Sequence, residues 1–267
     1  MNTNKHKKLK AIELFAGAGG MALGLQQAGI DVVGLVELNG MCLSTLAANK
    51  QKAFPKAEII KADISEISSR QLLRRTGIKK GRLDILSGGP PCQGFSFSNS
   101  NRSIDDPRSK LMWHFVRLVG EMKPRYFVIE NVPGLLAFKD FFVTLLESLE
   151  GKGYTVRFNE LDACSYGVPQ RRIRVFIDGA RKDLKILPVF PRPTHFDLDK
   201  DKAFPPKSMV TLKCFSENGF AKEQVYDVWW NKKLDILMNK KTAGEKVEQA
   251  VREILLEGLI INTKKHS

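Results

Sequence analysis

Cys92 stands in the run Gly89-Pro90-Pro91-Cys92-Gln93-Gly94, a stiff Pro-Pro turn that follows the apolar stretch Leu83-Asp84-Ile85-Leu86. A cysteine attacks as its thiolate, which needs exposure and a positive or hydrogen-bonding environment; a strand-end loop supplies both and a core strand supplies neither. By itself Cys92 could equally be a small buried hydrophobe, so its neighbours in the fold decide. A second candidate is Phe15-Ala16-Gly17-Ala18-Gly19-Gly20. Its glycines permit a tight turn and let a ligand approach backbone amides at a helix N-terminus. The spacing is G-x-G-G rather than the dinucleotide fingerprint G-x-G-x-x-G, although a dinucleotide oxidoreductase stays open as the rival. Glu37 would accept hydrogen bonds from a ribose diol, or be a solvated strand-end carboxylate.

These residues need a frame that brings them to one edge. Apolar runs of strand length alternate with helix-periodic segments: Leu9 to Phe15 then Met21 to Ala28, Val32 to Val36 then Met41 to Asn49, Leu83 to Leu86 then Leu111 to Met122, and Phe127 to Ile129 then Phe138 to Leu149. The alternation predicts βαβ units in an α/β fold with a doubly wound, mostly parallel sheet. Thr155 to Leu161 and Ile173 to Ile177 would extend it. Ligands of such sheets sit at the carboxyl ends of the strands, where Glu37, Asp63, Cys92 and Glu130 all fall.

Composition narrows the partner. The 267 residues carry 43 Lys and Arg against 29 Asp and Glu, a formal net charge of +14, which favours a polyanion and first of all nucleic acid. Cys42, Cys92, Cys164 and Cys214 form no C-x-x-C pair, so neither a metal site nor a disulfide framework is indicated, and a reducing, cytoplasmic setting is expected. No apolar stretch reaches the ~18 residues of a membrane span, and no export signal is visible.

With Cys92, Glu130-Asn131-Val132 and Gln170-Arg171-Arg172-Ile173-Arg174 in that order, the chain resembles the cytosine-5 DNA methyltransferases over roughly Leu9 to His195. The resemblance implies a sheet of the S-adenosylmethionine-dependent methyltransferase type and that cofactor. Phe15, Gly17, Gly19 and Gly20 would line its methionine side and Glu37 would hold the ribose. Asp63 and Ile64 would hold the adenine, with Pro91 and Leu111 completing the wall. Leu38 occupies the place where family members often carry an aromatic. Cys92 would add to carbon 6 of cytosine, because carbon 5 is too poor a nucleophile until the ring gains electron density. Glu130 would act as the acid near N3. Arg172 and Arg174, two apart on one predicted strand, would face the same way, with Arg174 binding the base carbonyl. The target base must leave the duplex. The polar stretch from Ser96 to Lys110 would close over double-stranded DNA, with Gln93 and Ser96 near the displaced nucleotide and Arg108 on a phosphate.

The pattern fades after His195, dividing the chain into a catalytic domain, 1–195, and a divergent tail, 196–267. Neither a long target-recognition region nor a final Gly-Asn-x-Val segment is recognisable. The part from 198 to 267 has 13 Lys and Arg against 10 Asp and Glu, so it is no strongly basic arm. Val247, Val251, Ile254 and Leu255 predict a helix near 244–257 stopped by Gly258. Three readings result: the catalytic half of a split restriction-modification methyltransferase completed by a second subunit, a truncated relic that binds DNA or cofactor, or an RNA cytosine methyltransferase.

Overall fold

The computed structural model of the chain describes residues 8–91, 109–168 and 170–195. Seven strands form one sheet in the order β3-β2-β1-β4-β5-β7-β6. They are β1 (Lys10–Leu14), β2 (Asp31–Glu37), β3 (Glu58–Lys61), β4 (Ile85–Gly88), β5 (Tyr126–Asn131), β6 (Tyr154–Asp162) and β7 (Ile173–Arg181). The first five run parallel, and β7 lies antiparallel to both β5 and β6. The helices are α1 (Gly20–Gln27), α2 (Gly40–Ala53), α3 (Ser69–Thr76), α4 (Ser109–Met122) and α5 (Lys139–Gly151). This is the mostly parallel α/β sheet expected of an S-adenosylmethionine-dependent methyltransferase.

Two cores cover its two faces. Ile12, Leu14, Val36, Ile60 and Leu86 point into the larger cluster, with Phe115, Val119 and Met122 of α4 and Leu145 and Leu149 of α5. Ala11, Leu35 and Val32 point the other way, against Ala22 of α1 and Leu46 of α2. Alternate residues of each strand thus feed opposite layers, as a sheet wrapped on both faces requires.

Every strand and helix anticipated within the described residues is present, with ends displaced by a few residues. The sequence reading did not resolve β3 and α3. β3 is only Glu-Ile-Ile-Lys, and α3, Ser-Arg-Gln-Leu-Leu-Arg-Arg-Thr, holds three arginines in eight residues. Its one sequence signal is the reciprocal capping box between Ser68 and Gln71. Arg172 lies one residue before β7 rather than inside it. Cys92, Gln93, Ser96, Arg108 and the tail from residue 196, with its anticipated helix at 244–257, lie outside the described residues. Among the described residues no helix is long and apolar enough to cross a membrane.

Candidate active site

The strand order reverses between β1 and β4, so their carboxyl ends open the crevice where such sheets take ligands. The glycine loop leaves β1 here. Gly17 has φ +55° and Gly19 φ +90°. A Cβ on Gly19 would stand 2.8 Å from Leu46 Cδ2 and 3.0 Å from Phe54 Cζ, so this position needs glycine both for its backbone and for the approach of α2. Phe15 itself adopts φ +55° and packs its ring on the larger core. Gly20 is the first residue of α1.

Glu37, the last residue of β2, ties this loop down. Its Oε2 accepts from Gly17 N at 2.7 Å, while Oε1 accepts from Leu38 N at 2.7 Å and Asn39 N at 2.8 Å. Asn39 in turn caps α2, its Oδ1 accepting from Met41 N and Cys42 N. Leu38 leaves its side chain half exposed at the rim.

Asp63 follows β3 by two residues. Its Oδ1 accepts from Ser65 N at 2.8 Å and Ser65 Oγ at 2.7 Å, and these bonds hold its carboxyl below the usual aspartate range. Ile64 is buried in the larger core. The segment is anchored from α4: Arg117 Nη2 donates to Ile64 O at 3.0 Å and Ile67 O at 3.2 Å. Leu111, on the first turn of α4, packs partly buried on the same core.

The other side of the crevice is built by β4, β5 and β7. Gly88 ends β4, and a Cβ there would lie 2.5 Å from Leu14 O. Gly89 brings the chain close to Glu130, since a Cβ there would be 3.0 Å from Glu130 Oε2. Asn131 Nδ2, buried, donates to Pro90 O at 3.2 Å, and its Oδ1 accepts from Val132 N at 2.9 Å. The Glu-Asn pair therefore splits its work: Asn131 pins the Pro90-Pro91 turn, and Glu130 faces the crevice. Pro91 is exposed at the end of that turn.

Glu130 pairs in register with Phe176 of β7, which makes Arg174 its diagonal neighbour on the same face. Arg174 Nε lies 2.8 Å from Glu130 Oε1 and Arg172 Nη2 lies 4.0 Å from it, with Glu130 24% exposed. Both arginines thus turn to one carboxylate, as the two-residue spacing predicts. Asp162, at the end of β6, sets their approach: Oδ1 accepts from Arg172 N at 3.0 Å and from Cys164 N at 3.3 Å, and Oδ2 from Arg171 Nε at 3.2 Å.

Sequence reasoning passed over Asn131, Asp162, Arg117 and Glu13. Asn131 was quoted only as part of a motif. The other three show no local pattern, because their partners stand far along the chain or are backbone atoms.

A glycine loop on β1, a carboxylate at the end of β2 and a Glu-Arg pair beside a Pro-Pro turn define a class: α/β proteins with a cofactor crevice next to a polar reaction site. Known proteins narrow the class. The family described as C-5 cytosine-specific DNA methylase matches residues 9–265, further than the motifs ending at His195. The chain belongs to that family. The type II methyltransferase M.XorII of Xanthomonas oryzae is 44% identical over 187 residues, covering 68% of this chain and 43% of the relative. M.AquIA of Picosynechococcus is 36% identical over 196 residues, covering 70% and 77%. A crystal structure of an E. coli prophage DNA modification methyltransferase superposes with a TM-score of 0.58 at 32% identity, covering 70% of this chain and 53% of that one. With M.XorII at 43%, M.FnuDI at 48% and M.NgoPII at 56%, the chain spans about half the length of most of these relatives.

Proposed function

We propose that this chain is the catalytic part of an S-adenosylmethionine-dependent DNA cytosine-5 methyltransferase of a restriction-modification system. The reading is carried by the Glu130–Arg174 pair beside the Pro90-Pro91 turn that leads into Cys92, across the crevice from the Glu37-bound glycine loop. The cofactor, when bound, supplies an electrophilic methyl group on sulfonium sulfur. Gly17, Gly19, Gly20 and Phe15 would receive its methionine part, Glu37 its ribose, and Asp63 and Ile64 its adenine, with Leu38, Pro91 and Leu111 as the surrounding wall. The ionised state of Asp63 suits a hydrogen-bond acceptor.

Cys92 adds as thiolate to carbon 6 of a cytosine turned out of the duplex. The electron pair moves into the ring, where Glu130 protonates N3. Arg174 holds both Glu130 and the base carbonyl, and Arg172 adds positive charge to the same carboxylate. The Cys92 adduct makes carbon 5 nucleophilic and would orient it toward the methyl group that the bound cofactor would supply. Loss of the carbon 5 proton to water, return of the N3 proton to Glu130 and departure of Cys92 as thiolate restore the carbon 5 to carbon 6 double bond. Gln93, Ser96 and Arg108 would contact the DNA, in keeping with the net charge of +14.

The catalytic domain is residues 1–195, followed by a divergent tail from 196. In this reading a second subunit supplies target recognition and the last segment of the cofactor site. The test is transfer of labelled methyl from S-adenosylmethionine to unmethylated duplex DNA, by the purified chain and by the chain plus the polypeptide encoded beside it. Label on carbon 5 of cytosine supports the reading. Label on RNA instead, or on no nucleic acid in either preparation, refutes it.

A further inference from the structure

Beneath the glycine loop, β1 and β4 set two buried polar side chains beside each other. Glu13 is 2% exposed and Ser87 0% exposed. They are direct register partners across the parallel β1–β4 pair, so both side chains leave the same face of the sheet. Each keeps an oxygen without a hydrogen-bond partner, Glu13 Oε2 and Ser87 Oγ. Leaving such an atom unpaired in an interior is costly, and folded proteins hold few of them. Their location gives a reason to keep them. Glu13 closely precedes Phe15 and Gly17 of the loop, and Ser87 closely precedes Gly89 of the Pro-Pro turn. The pair stands one residue before the carboxyl ends of β1 and β4, the two strands between which strand order reverses.

The surroundings of Glu13 oppose its charge. Burial pushes its carboxyl up to about 8, the Glu37 carboxylate adds to that, and the Ala22 N–H in the first turn of α1 works against it. α1 has no ionisable side chain. β2 presents Leu35, the register partner of Glu13, and then Glu37. β4 presents Ile85 and Ser87. α2 packs through Leu46 and carries Lys50 and Lys52 in its last turn. A ligand with a sulfonium and an ammonium against one carboxylate brings net positive charge into this crevice and favours the ionised carboxyl.

We propose that Glu13 is a positioning residue that carries a proton in the cofactor-free protein and releases it to solvent when S-adenosylmethionine enters the loop, with Ser87 as the neighbouring hydroxyl donor to the resulting carboxylate. The proposal rests on the cofactor reading given above. It makes Glu13 sense the charge that distinguishes the cofactor from its thioether product.

The test is calorimetric titration of the full chain with S-adenosylmethionine at pH 7 in buffers of different ionisation enthalpy. Wild type is expected to release a large fraction of a proton, the thioether product less, and Glu13→Gln no more than the ligand's own amino group contributes. Wild-type affinity should rise with pH up to about 8 by as much as about tenfold per pH unit, a slope that Glu13→Gln lacks. Equal proton release and equal slope in the two proteins would overturn the proposal. To make the test independent of the variant's folding, the carboxyl carbon of Glu13 is also titrated in wild type by NMR. A midpoint near 8 that falls on adding cofactor supports the proposal, and a midpoint in the ordinary carboxylate range without cofactor overturns it. Absence of any binding by wild type would overturn the cofactor reading and this proposal together, whereas binding without Glu13-dependent release overturns this proposal alone.

Discussion

On the proposed cofactor side of the crevice, β1, β2 and β3 hold their carboxylates mainly through backbone N–H donors of the loops that follow them. On the base side, β4, β5 and β7 join residues from distant segments. Glu37 binds Gly17 N twenty positions away and the N–H groups of Leu38 and Asn39 next to it, and Asp63 binds Ser65. Glu130, by contrast, meets Arg174 only because β7 runs antiparallel beside β5, and Asn131 reaches back to Pro90. The cofactor side is a set of backbone donors ordered by short loops. The base side is a charged pair whose geometry depends on strand register. Damage to the first should therefore weaken binding, and damage to the second should slow chemistry.

The largest break expected is Cys92→Ala, which should reduce methyl transfer to background while cofactor binding persists, as equilibrium binding beside the transfer assay would show. Loss of binding in that variant would give Cys92 a structural part instead. Glu130→Gln removes the proton donor yet keeps the side-chain volume, and kcat should fall roughly 10²–10⁴-fold with little change in cofactor affinity. Arg174→Ala should fall toward the same range, since it leaves Glu130 with Arg172 at 4.0 Å as its nearer cation.

On the cofactor side, Gly19→Ala imposes a side chain at φ +90° and a 2.8 Å approach to Leu46. Strain of this kind costs on the order of 1–3 kcal/mol, which should appear as weaker cofactor binding and a lower Tm. Arg117→Ala should be milder. It frees the Ile64 and Ile67 carbonyls, and about tenfold weaker cofactor affinity with kcat unchanged is expected, hydrogen bonds to charged groups contributing roughly 1.5–3 kcal/mol. An equal fall in kcat for Arg117→Ala would blur the division between the two sides.

Much of this division was legible in the sequence. The strand and helix periods placed Glu37, Asp63 and Glu130 on one rim, and the two-residue spacing of Arg172 and Arg174 put both toward one partner. The identity of that partner was not legible, because it depends on β7 inserting antiparallel between β5 and β6. Asp162 carries no sequence signal, yet it fastens the segment leading to Arg172. Arg117 sits in an amphipathic helix whose pattern explains the packing of α4 and says nothing of its reach to the loop after β3. Glu13 was hidden for a related reason: a lone acid in a strand gains meaning only when Ser87 is seen beside it.

A smaller, pH-linked effect sharpens the comparison on the base side. Asp178 of β7 is buried, and burial pushes its carboxyl up to about 7 against the hydrogen bond from Tyr126 Oη. A carboxyl raised on folding binds its proton more tightly in the native state than in the unfolded one. Its stabilising contribution is therefore present below the ordinary value of 3.8 and is lost as pH rises through about 7. Asp178→Asn should flatten the loss of Tm between pH 5 and pH 8 and leave cofactor affinity unchanged.

The most direct measurement of the central claim is the site of covalent attachment to DNA whose target cytosine carries fluorine at carbon 5, which blocks the final elimination. The chain, alone and together with the polypeptide encoded beside it, is incubated with that DNA and S-adenosylmethionine, denatured, and mapped by peptide mass spectrometry. A denaturation-resistant adduct on Cys92, formed with cofactor and strongly reduced in Glu130→Gln, is the predicted result. An adduct on Cys42, Cys164 or Cys214, or none at Cys92 while methyl transfer to ordinary DNA proceeds, would contradict it.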